Sequence, residues 1–145
     1  MWNPHVTVAT VVASEGRFLM VREQKARGLV LNQPAGHLEP GESLVQAAAR
    51  ECLEETGWRV APARYLGVCQ YLAPDGVCFI RHVFSAHAIE QTNHALDQDI
   101  IEAVWLTKEQ IWDEQASWRS PMVGHAIEQH LRGQYIDIDS LWMSY

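Results

Sequence analysis

Positive charge is scarce in this chain: eleven Lys and Arg stand against eighteen Asp and Glu, a formal net charge of -7 at pH 7 with His neutral. The resulting field repels a polyanion, so a nucleic-acid polymer is not an expected partner. A small anion remains possible, because bound divalent cations reverse the local potential inside a carboxylate-lined site. Cysteine is sparse as well. Cys52, Cys69 and Cys78 form no Cys-x-x-Cys spacing, so a disulfide framework and thiol catalysis are not expected, and a reducing cytoplasm is the expected setting. No apolar run approaches the roughly 20 residues of a membrane-spanning helix, and Met1 to Pro4 carry no charged leader region, so neither membrane nor targeting is expected. Repeats, linkers and low-complexity tracts are also missing. What is present is ordinary globular composition, 48% hydrophobic and 20% charged over 145 residues. That length fits one domain over residues 1–145, able to bury roughly 70% of the surface its unfolded form exposes.

The residues from His5 to Ala13 are rich in β-branched types, and Ser14-Glu15-Gly16 then supplies a turn before Phe18 to Val21, which predicts a β-hairpin. A loop at Lys25 to Gly28 precedes a short strand at Leu29 to Leu31, and Pro34 with Gly36 predicts a second loop over Asn32 to Gly36. Ser43 to Thr56 is the clearest helix: Ser43 as N-cap, Gln46 completing a capping box, Gly57 closing the end. Leu44, Ala47, Ala48 and Cys52 form its buried stripe. Strands are predicted at Tyr65 to Leu72, Val77 to Ala88 and Ile100 to Leu106. Helices follow at Thr107 to Glu114 and from Ser120, the latter with Pro121 at its first position and Gly133 at its close. The tail from Tyr135 to Tyr145 reads equally as packed segment or interface. Strands and helices in this order predict a mixed sheet covered by helices, α/β or α+β in class.

The helix carries Glu51, Glu54 and Glu55, spaced three and four residues apart so that the carboxylates emerge as neighbours. Alone, three such residues describe a solvated acidic face. The setting argues for chemistry: a glycine-containing loop precedes the helix, and Arg50 stands beside the acids as a counter-ion. Crowded hard oxygen ligands favour Mg²⁺, with Mn²⁺ as substitute, over Zn²⁺.

Gly36, Glu42, Arg50, Glu51, Glu54, Glu55 and Gly57 fall at the spacing G-x5-E-x7-R-E-U-x-E-E-x-G-U, where U is bulky and apolar. On these residues the chain is identified as resembling the Nudix hydrolases, with the box over residues 36–58. Cys52 and Trp58 stand where an aliphatic residue is usual, and both are apolar. Pro-Ala-Gly-His-Leu-Glu at residues 34–39, with Pro4 to Ala9 and Arg119-Ser120-Pro121, is similar to the NudJ-type phosphatases within that family. The resemblance covers essentially the whole chain. It implies an α/β/α sandwich with a mixed β-sheet flanked by helices. It also implies Glu54 and Glu55 as metal ligands, the Gly36 carbonyl as a further ligand, and Glu51 as metal partner or base for the attacking water. Arg50 is then the group that orients these carboxylates, and Glu42 a support for loop and helix. An acid outside the box is expected before a late strand containing Trp. Asp99 best matches that position and Glu102 competes with it.

The activity so implied is release of phosphate from nucleoside tri- and diphosphates, and from hydroxymethylpyrimidine pyrophosphate, by metal-activated water. The alternatives are cleavage of dinucleotides or nucleotide sugars, or nucleotide sensing without turnover. Lys25, Arg27 and Arg81 are candidate substrate contacts, because an anionic substrate needs positive groups at the rim; solvated surface charge describes them equally well. Tyr71, Phe79 and Trp105 can stack a base, with Tyr71 and Phe79 as the candidates carried forward. His37 sits in the box loop near phosphate. His82 and His87, five apart in a strand, face opposite ways and make no chelate. A monomer and a homodimer both fit.

Overall fold

The computed structural model describes residues Met1–Tyr145. Strand β1 (His5–Ser14) and strand β2 (Arg17–Lys25) meet at Glu15-Gly16, both with positive φ (51° and 76°), the geometry a two-residue hairpin turn requires. The two strands pair only at Ala13–Phe18 and Ser14–Arg17. Beyond that they splay apart: β2 joins β3 (Gly28–Asn32) and the later strand β7 (Ile100–Thr107), whereas β1 joins β4 (Ala35–His37) and, in parallel, β6 (Cys78–Gln91). Strand β5 (Trp58–Leu72) runs antiparallel to β6, and β8 (Ile136–Asp137) pairs with β5 at the outer edge. The path is β3-β2-β1-β6-β5-β8, with β4 on β1 and β7 on β2.

Strand β1 shows why the sheet needs a helical layer on each side. Val8 and Val12 pack with Ala47, Ala48 and Cys52 of helix α1 (Leu44–Thr56), and Thr10 Oγ1 donates to the Ala48 carbonyl at 3.3 Å. Val11 faces the other way, into Val123, Ala126 and Ile127 of helix α3 (Met122–Arg132) and Ile111 of helix α2 (Lys108–Asp113). Six consecutive β1 residues are therefore buried, and the fold is a mixed β-sheet between helices, an α/β/α sandwich. The small alanines of α1 let the helix settle close onto the sheet, which brings its glutamates over the strand ends.

Three local expectations change. The loop expected over Asn32 to Gly36 gives way to β4 at Ala35–His37, because its partners are Thr7, Val8 and Ala9 of β1, which local sequence does not reveal. Strand β5 starts at Trp58 rather than Tyr65 and runs through Pro62, which sits at a register shift where its missing N–H is tolerated. Helix α3 begins at Met122: Pro121 already has helical dihedrals (φ -58°, ψ -18°), and the Ser120 hydroxyl accepts from the Met122 N–H at 3.1 Å. The tail divides its role. Ile138 and Leu141 pack against the α1 side of the core, while Trp142 is 87% exposed. No helix is long and apolar enough to cross a membrane.

Candidate active site

Helix α1 is fixed at both ends. Ser43 and Gln46 exchange hydrogen bonds between side chain and backbone at 2.9 and 3.0 Å, and Gly57, left-handed at φ 75°, donates its N–H to Leu53 O at 2.9 Å. With rotation and register set, Glu51 and Glu55 become buried, at 8% and 7% exposure. Gly36 of β4 lies directly against Glu51: a Cβ there would stand 2.1 Å from Glu51 Cδ. Close approach, not backbone torsion, is what requires glycine at this position.

The three box glutamates do not form one cluster. Glu51 and Glu54 come together with Asp97, each offering a carboxylate oxygen within 4.8 Å of the others. Glu55 lies deeper, accepting the Ala35 N–H at 2.9 Å. Arg50 binds the acids from one side: Nε and Nη2 grip both oxygens of Glu42 at 2.8 and 2.7 Å, and Nη1 reaches Glu51 at 2.8 Å and Glu54 at 3.3 Å. Its Nη2 also donates to the His37 carbonyl at 3.1 Å. Glu42, so gripped, is held below the usual carboxylate range, and Arg50 is raised in turn. Burial pushes Glu51 up despite Arg50. Burial, with Glu23 nearby, pushes Glu55 up to about 9.

Glu23, on β2, was not among the residues singled out from sequence. It is 5% exposed, and its closest cation is Lys25, 3.9 Å away. Burial raises its pKa, with Lys25 and Arg119 opposing. A glutamate following the apolar run Phe18 to Val21 was the available signal. Asp97, not singled out from sequence, stands in the acidic group with Glu51 and Glu54, where the spacing from Trp105 pointed to Asp99. The Asp97 N–H docks on the Glu54 carbonyl at 2.9 Å, bringing the loop to the end of α1, whereas Asp99 gives its carbonyl to the Gln24 N–H at 2.9 Å. Asp99 lines a cavity of about 320 Å³ with Glu23, Lys25, Glu55 and Asp97, and is outside the Glu51–Glu54–Asp97 group. Glu102 is engaged elsewhere, with Arg22 at 2.8 Å.

A cavity of about 360 Å³ opens beside Glu51 and Glu55 and is lined also by Gly36, His37, Tyr71, Phe79 and Arg81. Tyr71 and Phe79 are direct cross-strand partners on β5 and β6. Arg81 is buried beneath them, its guanidinium spent on Asn32 (2.9 Å), Gln33 (3.3 Å) and the Met122 carbonyl (3.2 Å), and burial lowers its pKa. His37 Nε2 lies 3.1 Å from His5 Nδ1; burial first, then His5, lowers its pKa. Arg27 is not in this cavity. It donates to the Trp118 carbonyl and lines the adjoining one. His82 pairs with the Tyr65 hydroxyl at 2.9 Å, while His87 is exposed. Cys52 is buried and its thiol is pushed up to about 12, which leaves it without nucleophilic character.

Two buried carboxylates, Glu51 and Glu55, facing a cavity beside a Glu51–Glu54–Asp97 cluster, suit a hard divalent cation, since removing Glu55 from water without one costs it its charge. The NUDIX domain family model matches residues 1–124, and the chain belongs to the Nudix hydrolases. More particularly, it is 41% identical over 143 residues to the phosphatase NudJ of Escherichia coli (strain K12), covering 97% of this chain and 92% of that one. A NUDIX hydrolase from Nitrosomonas europaea superposes with a TM-score of 0.94 at 36% identity, covering 98% of both chains. A second structure from that organism, also titled a NUDIX hydrolase, gives 0.72 at 26% identity, covering 92% of this chain and 76% of that one.

Proposed function

We propose that this hydrolase is an Mg²⁺-dependent phosphatase that removes terminal phosphate from nucleoside tri- and diphosphates and from hydroxymethylpyrimidine pyrophosphate, with Mn²⁺ as a substitute. The observation that carries this reading is that Glu51 and Glu55 share one cavity with the cross-strand neighbours Tyr71 and Phe79, so a single cavity offers both carboxylates and aromatic surface. The relative named a phosphatase supports the same class.

In this reading Glu51, Glu54 and Asp97 would hold a cation, with Glu55 and the Gly36 carbonyl, which line the adjoining cavity, as the further ligands that the box implies; once bound, the cation would neutralise phosphate oxygens and acidify water. Arg50 restrains Glu51 and Glu54 so that their oxygens keep one arrangement through turnover. One Glu51 oxygen is engaged by Arg50, so the other serves either as a metal ligand or as acceptor of the attacking water's proton; Asp99 is the competing acceptor. Lys25 and His37 supply positive or donor groups around the phosphates, while Arg81, its guanidinium engaged by Asn32, Gln33 and Met122, shapes the cavity wall. Displacement at phosphorus is in line, with no protein nucleophile. The protein works without a membrane, in the cytoplasm, as a monomer or homodimer.

The test is product analysis with Mg²⁺ across nucleotides and hydroxymethylpyrimidine pyrophosphate, native against Glu55→Gln. Orthophosphate release that collapses in the variant supports the reading. A nucleoside monophosphate together with a second phosphorylated fragment shifts it to cleavage of dinucleotides or nucleotide sugars. Tight binding without turnover makes the chain a nucleotide sensor.

A further inference from the structure

A second cavity, about 490 Å³, adjoins the first and shares four lining residues with it: Tyr71, Phe79, Arg119 and Ser120. The shared residues come from two sides. Tyr71 and Phe79 form a cross-strand aromatic pair, and Arg119 and Ser120 belong to the segment between the 3-10 turn Gln115–Ser117 and α3. The far wall consists of Ala73, Pro74 and Asp75 from the β5–β6 turn with Gln115 and Ala116, apolar surfaces carrying two polar groups. That is the composition of a site for a flat, partly polar ring.

Arg119 stands at the junction. Its backbone is pinned, because its N–H donates to the Leu31 carbonyl at 2.8 Å and Trp118 bridges to Leu31. Its side chain is exposed and has no partner within the chain, whereas Arg27 is engaged by the Trp118 carbonyl and Arg81 by Asn32, Gln33 and Met122. An uncommitted guanidinium on a fixed backbone, lining both the acid-lined cavity and the adjoining one, can bind phosphate bidentately or lie over an aromatic plane.

We propose that the two cavities are one binding trough, in which the carboxylate-lined end takes the phosphates and the adjoining end takes the base of a nucleoside di- or triphosphate, with Arg119 holding the substrate at the junction. This rests on the phosphatase reading above and extends it to residues outside the box. It also separates the two substrate classes. A pyrimidine joined to its diphosphate through one methylene keeps its ring near Tyr71 and Phe79, while a nucleotide has a ribose between and reaches the far wall.

The experiment compares native protein with Ala116→Trp, which fills the far end, and with Arg119→Ala and Arg119→Lys, all at exposed positions. Two quantities are read: the ratio of kcat/KM for ADP to that for hydroxymethylpyrimidine pyrophosphate, and the Kd of the methylene-bridged, non-hydrolysable ADP analogue with Mg²⁺. A fall of about tenfold or more in the ratio for Ala116→Trp, with analogue binding weakened as much, supports the trough. Arg119→Ala weakens the analogue similarly, and Arg119→Lys recovers part of the loss. Unchanged ratio and analogue affinity in Ala116→Trp overturn the proposal. If native protein binds the analogue but turns over no nucleotide, the phosphatase reading fails while analogue affinities still decide the trough; no binding to native protein overturns both.

Discussion

The carboxylate of Glu51 occupies the space that a side chain on residue 36 would take, with the position of a Cβ only 2.1 Å from Glu51 Cδ. Gly36→Ala must therefore push the far end of a flexible side chain aside rather than break the backbone. The expected result is a fold that melts within a few degrees of native, with kcat lowered by about a hundredfold, the scale on which a roughly 1 Å misplacement acts. Thermal melting and steady-state kinetics on the same preparation check it; loss of folding would place the defect in β4 instead.

Glu55 gives a pH prediction with a definite sign. Its folded-state pKa of about 9 lies above the ordinary 4.5, so the folded protein keeps a proton that the unfolded chain releases. This contribution to metal-free stability is complete below about 4.5 and is lost as pH rises toward 9. In EDTA, Glu55→Gln, which can still accept the Ala35 N–H, melts higher than native at pH 8.5 and nearly with it at pH 5. With Mg²⁺ the order reverses, because the native carboxylate gains a ligand that the amide lacks. Melts in the four conditions decide the matter.

Arg50 joins Glu42, Glu51 and Glu54 through one guanidinium and also ties down the His37 carbonyl. Arg50→Ala leaves three acids facing one another. A loss on the order of 2 kcal/mol in urea unfolding without metal is expected, tempered by partial exposure to solvent. Arg50→Lys restores charge but not the forked grip on Glu42, so it recovers stability better than kcat.

Asp97 and Asp99 separate by assay. Asp97→Asn weakens Mn²⁺ binding, read by paramagnetic resonance, by at least about tenfold, since losing a carboxylate from the metal group costs no less than losing a group that only supports the ligands. Asp99→Asn leaves Mn²⁺ affinity near native and lowers kcat if it takes the water's proton. The reverse pattern would exchange their roles.

Much of the site was legible because it is local. Ser43, Gln46 and Gly57 state where α1 starts and stops, and once those ends are known the spacing of Arg50, Glu51, Glu54 and Glu55 follows from helical geometry. What escaped depends on pairings between distant segments. Strand β4 exists because β1 lies beside it, and Asp97 enters the acidic group because its N–H docks on Glu54. Glu23 faces Glu55 only through the packing of β2 against α1. Spacing from Trp105 pointed to Asp99, two residues away, since loop course is not encoded by count. Glu54 and Glu55 also part company more than a shared face suggested: adjacent residues differ by about 100° around a helix, so one meets the loop and the other the sheet.

The parallel pairing of β1 with β6 has a consequence for how the chain is made. Antiparallel neighbours can zip from a tight turn, but His5–Val12 must wait for Phe79–Ala86, which emerge from the ribosome only after α1 and β5. The acidic helix is thus synthesised before the central strand on which it rests has its long-range partner, and loop closure between the two halves sets the pace. The burial that raises the pKa of Glu51 and Glu55 is therefore a property of the finished sheet and not of the helix that carries them.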